Sequence, residues 1–332
     1  MLRKKFRETG PDVVILIVII LLLTWTGAFL HPHLPAYQGF DVKPMPLFDL
    51  LMSVTGFSPL FSVIVASLLV LLIAFLLVNF NTSAFFISER NFLPALIYIL
   101  LSGYFPQYQI LNPVLPAAVF LILGVRKIIE SYKVQGTAFS YFDAGMLISI
   151  GSLFYASLIW FGLLLIIGMA ILRTGSLKEV IISILGLAAP VFIVYGFFYV
   201  TGKDIGSMLS AVTYNLFAKD ANYSIPVLTI VVLIISGIIV LISMTQLLST
   251  INSKKIKSRK TFVLFLWTFF IVAGVYFLLD SVSAEIHWLG VIPPSYFLSH
   301  YFVFSRRKLL PEIMLAVLFI LAALVQVVNL LQ

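Results

Sequence analysis

Hydrophobicity in this chain comes in blocks of about 16 to 22 residues, with the charged residues gathered between them. A helix needs about 20 such residues to cross roughly 30 Å of hydrocarbon, whereas a membrane strand would alternate apolar and polar positions over about ten. Runs such as Val13–Leu23 and Leu228–Ile235 do not alternate. The pattern is that of an all-α, polytopic transmembrane helix bundle. Only 10% of the residues are charged and 61% are hydrophobic, a surface that water could not solvate. With no cysteine, disulfides, thiolate catalysis and cysteine-held metals are excluded.

The net charge of +8 does not form a nucleic-acid surface, because the cations flank apolar runs, where they act as topology signals. Met1-Leu-Arg-Lys-Lys-Phe-Arg7 before an apolar run has the look of a secretory leader. That run continues to about Leu30 with no A-x-A site after it, so it reads as an uncleaved first span. Further spans are expected near 60–80, 92–105, 110–125, 177–200, 226–248, 261–279, 289–304 and 309–331, after a first at 12–30. Residues 143–172 are too long for one ordinary crossing and short for two.

Charge settles that stretch. If 143–172 forms two short helices turning near Ala156-Ser157, and the N-terminus is cytoplasmic, 18 of the 21 basic residues lie inside, leaving Lys43, Lys203 and Lys219 outside. A single crossing would put Lys254–Lys260 and Arg306-Arg307-Lys308 outside, against the positive-inside rule. The expectation is eleven membrane-embedded helices with a cytoplasmic N-terminus and an exterior C-terminus. Segments 92–105 and 110–125 are short and carry Pro94, Pro113 and Pro116, which places them against the protein interior. Residues 1–332 read as one integral membrane domain without internal repeats. Its exterior segments are 31–59, 201–225 and 280–290.

Several carboxylates have structural explanations: Pro11-Asp12, Pro311-Glu312, Asp143 and the capping box Ser176-Leu-Lys-Glu179 all place an acid at a helix N-terminus. The first exterior loop is different. It gathers His31, His33, Tyr37, Asp41, Lys43 and Asp49 with four prolines, and 47–57 suits an interfacial amphipathic helix. A carboxylate held there has the chemistry of a general base, and the bland alternative is a proline-stiffened loop with solvated charges. His31-Pro-His33 lacks the third ligand a metal needs. Lys203-Asp204, Lys219-Asp220, Asp280, Glu285 and His287 form no constellation by spacing, and no span has a charge at its midpoint, which counts against a proton-coupled transporter.

The middle of the chain carries a recognisable series: Asn91-Phe-Leu-Pro-Ala-Leu-Ile-Tyr98, Leu111-Asn-Pro-Val-Leu115, Arg126-Lys-Ile-Ile-Glu-Ser-Tyr132, Phe142-Asp-Ala-Gly-Met-Leu-Ile-Ser-Ile-Gly-Ser-Leu-Phe-Tyr155 and Gly186-Leu-Ala-Ala-Pro190. It resembles a family of integral membrane proteins from Bacteroidota, which in turn is similar to the GT-C superfamily of polyprenyl-phosphate-sugar glycosyltransferases. The resemblance covers roughly residues 10–200, leaving 201–332 as additional C-terminal helices. It implies a multi-pass protein of the bacterial inner membrane and a catalytic carboxylate in the first exterior loop. Asp41 is the first candidate and Asp49 the second, with His31, His33, Lys43 and Lys203 available to a lipid phosphate and room for a divalent metal. The implied partners are the bilayer, a polyprenyl-phosphate lipid and other membrane proteins. The chain departs from that pattern in lacking a double-acidic pair in the loop, an exterior arginine and a large exterior domain. The rival expectations are a non-catalytic membrane subunit of an envelope secretion, motility or polymer-export assembly, and a transporter or lipid flippase.

Overall fold

A computed structural model describes residues 5–8, 10–33, 43–56, 58–84, 87, 90–132, 137–173, 175–218, 225–282, 284–306 and 309–331. Among them are fifteen α-helices and no strand. They are α1 (Pro11–Thr24), α2 (Thr26–Leu30), α3 (Pro46–Thr55), α4 (Pro59–Ala84), α5 (Leu93–Ser102), α6 (Val114–Glu130), α7 (Ala138–Ser152) and α8 (Leu163–Leu172). There follow α9 (Leu177–Val200), α10 (Ile205–Phe217), α11 (Val227–Thr250), α12 (Ile256–Leu278), α13 (His287–Gly290), α14 (Ile292–Phe304) and α15 (Leu309–Leu331). Proline supplies the first turn of α1, α3, α5 and α14, where its missing N–H is no loss.

Five helical stretches are long and apolar enough to cross a membrane: Pro59–Thr82, Leu177–Val200, Val227–Ser253, Ile256–Leu278 and Leu309–Leu331. The other expected spans are shorter. All ten residues of α5 are buried, as are twelve of the thirteen in α14. At about 1.5 Å per residue these helices rise only about 15 and 20 Å, too little to cross hydrocarbon alone. They persist because surrounding protein, not lipid, covers their ends. The long helices turn apolar side chains outward instead, with Phe192, Ile193 and Phe197 on α9 and Ile234, Ile238 and Leu241 on α11 exposed. Lipid is the medium such faces fit.

The first span is not continuous. It breaks at the fully buried Trp25, and Gln109 Nε2 donates a 2.8 Å hydrogen bond to the Thr24 carbonyl released there. The stretch at 143–172 divides as its charge context required: α7 ends at Ser152, a 3-10 turn runs Ala156–Gly162, and α8 returns. Asp143, expected to open its helix, instead lies in the second turn of α7, which starts at Ala138, and pairs with Lys127 at 3.0 Å. The Ser176/Glu179 capping box forms as read, with the Ser176 N–H donating to Glu179 Oε2 at 3.1 Å.

Helices α7 and α9 run parallel. Thr137 donates to Glu179 at 3.4 Å, Phe142 faces Gly186, and Gly145 faces Ser183 to Leu187. Two parallel neighbours need a return path between them, which α8 provides. The approach is close enough to need glycine: a Cβ on Gly145 would sit 2.7 Å from the Ser183 carbonyl oxygen, and one on Gly186 would be driven into the Phe142 carbonyl.

The contacts sort the chain into two ends. At the first, the Phe92 N–H donates to Phe6 O (3.0 Å), Lys260 Nζ donates to Leu172 O (3.1 Å) and lies over Tyr132, and Lys254 lies over Phe304 at 3.6 Å. Lys5 pairs with Asp12 there, which holds its ammonium pKa above the usual lysine range, while partial burial holds that of Lys254 below it. At the second end, Leu47 N–H donates to Leu153 O (3.1 Å), Ser281 Oγ donates to Leu216 O (3.0 Å), and Asn329 of α15 lies against Gly27. Among the described residues, Lys43 and Lys203 are the cations at this second end, and the others cluster at or near the first.

Candidate functional site

The second end holds the expected loop. His31 and His33 are exposed, and no group of three metal-capable side chains exists among the described residues. Asp41 lies outside the described residues, as do Lys219 and Asp220. Lys43 is exposed, but its backbone is held: buried Asn215 of α10 donates from Nδ2 to Lys43 O (2.7 Å) and accepts from Lys43 N–H (3.4 Å). The amide side chain thereby pairs with a peptide that has no secondary-structure partner. Lys43 Nζ lies 5.0 Å from the centre of the Tyr214 ring.

Helix α3 is amphipathic as expected, with Phe48 and Thr55 buried and Leu50 and Val54 exposed. Asp49 is exposed in its first turn, where it complements the helix dipole. The Leu47 to Leu153 bond fastens α3 to the break after α7. Lys203 is exposed over Phe198, and Asp204 beside it caps α10 by accepting from Gly206 and Ser207 N–H at 2.9 and 3.0 Å. The loop, α10 and the helix break therefore converge, while His31, His33, Asp49 and Lys203 present exposed side chains.

Sequence reasoning missed the polar groups that the fold buries. Glu285, only 2% exposed, is the one carboxylate in the buried core of the described residues, and Tyr155 at the helix break donates to its Oε1 at 3.2 Å. His287 is set on the last turn of α5, where Leu101 O lies 2.8 Å from Nε2 and Phe105 packs on the ring at 4.8 Å. A carbonyl can only accept, so Nε2 carries a proton, and in the neutral ring Nδ1 keeps a lone pair. One signal was available: Val282, Ala284, Ile286, Trp288 and Leu289 make this segment too apolar for a solvated loop.

Beside His287, α11 and α12 each lean on α14 more than on one another. Between them lies a cavity of about 440 Å³, walled by Gly237 and Leu241 on one side and Phe269 and Tyr276 on the other, with His287 and Pro294 at its floor.

A family model for DUF6427, described as a family of unknown function, matches residues 45–330. The chain belongs to that family. No curated protein and no solved structure matches it. The DUF6427 match takes in α3 with Asp49, Lys203, Glu285 and His287, and begins after His31, His33, Asp41 and Lys43.

Proposed function

We propose that this DUF6427 chain is a GT-C-like glycosyltransferase of the bacterial inner membrane that draws a sugar from a polyprenyl-phosphate carrier at the exterior face. The bundle end carrying Lys43, α3 and α10 is the exterior one in this reading. The remaining spans are completed by the short interior helices together with the five long ones. The observation that supports it best is the fastening of the first exterior loop over the break after α7, through Leu47 to Leu153 and Asn215 to Lys43. A transferase of this kind must hold a carboxylate above the point where a lipid phosphate leaves the bilayer.

The chemistry is a single displacement. Asp41 takes the proton of the acceptor hydroxyl, whose oxygen bonds to the anomeric carbon as the bond from that carbon to the phosphate oxygen breaks, releasing polyprenyl phosphate. Lys43 and Lys203, with His31 and His33, are the groups available to the leaving phosphate. The described residues offer no three-ligand cage for a divalent metal, so no step is assigned to one.

Orientation is tested by impermeant maleimide on single cysteines. Ser210→Cys should label in intact spheroplasts and Ile256→Cys only after lysis; both positions are exposed. The reverse pattern would invert the bundle. Activity is tested in nanodiscs with radiolabelled polyprenyl-phosphate hexoses, scoring release of polyprenyl phosphate. Carrier turnover supports the reading. Failure to turn over any carrier shifts the weight to a non-catalytic membrane subunit.

A further inference from the structure

The cavity between α11 and α12 has a shape and depth that select a ligand. Its walls belong to two helices apolar enough to cross a membrane, and Leu241 at its rim is 57% exposed on the outer face, so the opening looks sideways into hydrocarbon. Along α11 it reaches Leu241, fourteen residues from Val227; along α12 it reaches Phe269, nine residues from Leu278. At about 1.5 Å per residue, those depths are about 21 and 14 Å, close to the midplane of a core roughly 30 Å thick. The crevice therefore extends over one leaflet, from the level of His287 to the level where lipid chains end.

Its polar chemistry is confined to the outer end. Ser236 in the wall spends its hydroxyl on Leu233 O at 3.1 Å, which leaves Tyr276 and His287. His287 is oriented by Leu101 O, so Nδ1 is an acceptor, and it has no hydrogen bond among the described residues. Among the described residues, no lysine or arginine lines the cavity. A phosphate at this level would lose water without gaining a counter-charge, whereas a hydroxyl can donate to Nδ1 at no such cost.

We infer that the crevice binds one chain of a neutral lipid of the diacylglycerol class, entering from the bilayer, with the lipid hydroxyl donating to His287 Nδ1. This goes beyond the transferase reading and needs only that the bundle lies in a membrane.

The experiment uses the full chain in phosphatidylcholine nanodiscs containing a diacylglycerol with a diazirine in its acyl chain, irradiated and mapped by peptide mass spectrometry. Label is expected on residues 233–241 and 269–276, and the phosphatidic acid with the same chains should label them several-fold less. Gly237→Leu is the blocking variant, since a Cβ there meets nothing within 4 Å and the side chain grows into open space. It should reduce labelling at least about five-fold. His287→Gln keeps an N–H for Leu101 O but places its acceptor, the amide oxygen, away from the position of Nδ1. It should reduce diacylglycerol labelling by about three- to ten-fold, the worth of one hydrogen bond, and remove the preference over phosphatidic acid.

Label spread evenly over the outer faces and unchanged by Gly237→Leu would overturn the site. Equal labelling by both lipids in the unmodified chain would overturn the headgroup assignment. Binding is read here without any transfer, so loss of the transferase reading leaves this result standing, and the converse.

Discussion

Replacing Gly186 by alanine is expected to cost the bundle about 3 kcal/mol, the upper end of the usual range for overpacked cores, and valine more still. The reason lies in what the added Cβ would meet. It would be driven into the carbonyl oxygen of Phe142 and would sit 3.0 Å from that residue's carbonyl carbon and Cα. These are backbone atoms of α7 and cannot rotate away, so the two parallel helices must separate. Separation would also pull at Gly145, opposite Ser183, and at the Thr137 to Glu179 bond. Thermal unfolding in detergent, with the monodisperse fraction on size exclusion, reads the effect. Gly196→Ala is the control in the same helix. Its Cβ meets nothing within 4 Å, and the gain in helix propensity should leave stability unchanged or raised by up to about 1 kcal/mol. A Gly186→Ala protein that melts with the unmodified chain would refute the close-packing account of α7 and α9.

Asp41→Asn is expected to lower transfer at least about 10²-fold, the contribution of a positioned general base, while leaving melting behaviour alone. The substitution keeps volume and hydrogen-bonding capacity and removes only the charge. Asp49→Asn separates this from a general effect of acidity in the loop. Asp49 is exposed in the first turn of α3, where its charge offsets the helix dipole, worth about 0.3–1 kcal/mol. Its replacement should change turnover by no more than a few-fold. The readout is release of polyprenyl phosphate from the labelled carrier, per mole of folded protein. Retained transfer in Asp41→Asn would remove that residue from the mechanism. A large loss in Asp49→Asn alone would move the base to α3.

Much of the architecture was legible in the chain because a bilayer restricts the alternatives so severely. Apolar blocks of span length had to be helices, since hydrocarbon offers backbone groups no other partner. The cation distribution required residues 143–172 to double back, and α7, the 3-10 turn and α8 do so. Local chemistry was equally direct where it depended on neighbours in sequence: the Ser176/Glu179 capping box and the amphipathic α3 both formed as read.

Depth and lateral packing were decided only by the tertiary structure. Leu93–Ser102 was placed inside by its shortness and Pro94, but nothing in the composition of Ile292–Phe304 distinguishes a helix facing lipid from one enclosed by other helices, because both environments are apolar. Helix α10 went unplaced within 201–225, and the break at Trp25 was hidden inside a continuous apolar run. The candidate polar groups divide the same way. Residue types marked out the loop that follows the first span, since a cluster of charges between apolar blocks is visible in sequence. The burial of Glu285 against Tyr155 and the orientation of His287 by Leu101 depend on contacts between residues more than 100 apart, and the crevice beside His287 on how α11 and α12 sit against α14. Periodicity reports which face of a helix is apolar; only the assembled bundle determines which of those faces meets protein, which meets lipid, and which is left open between two helices.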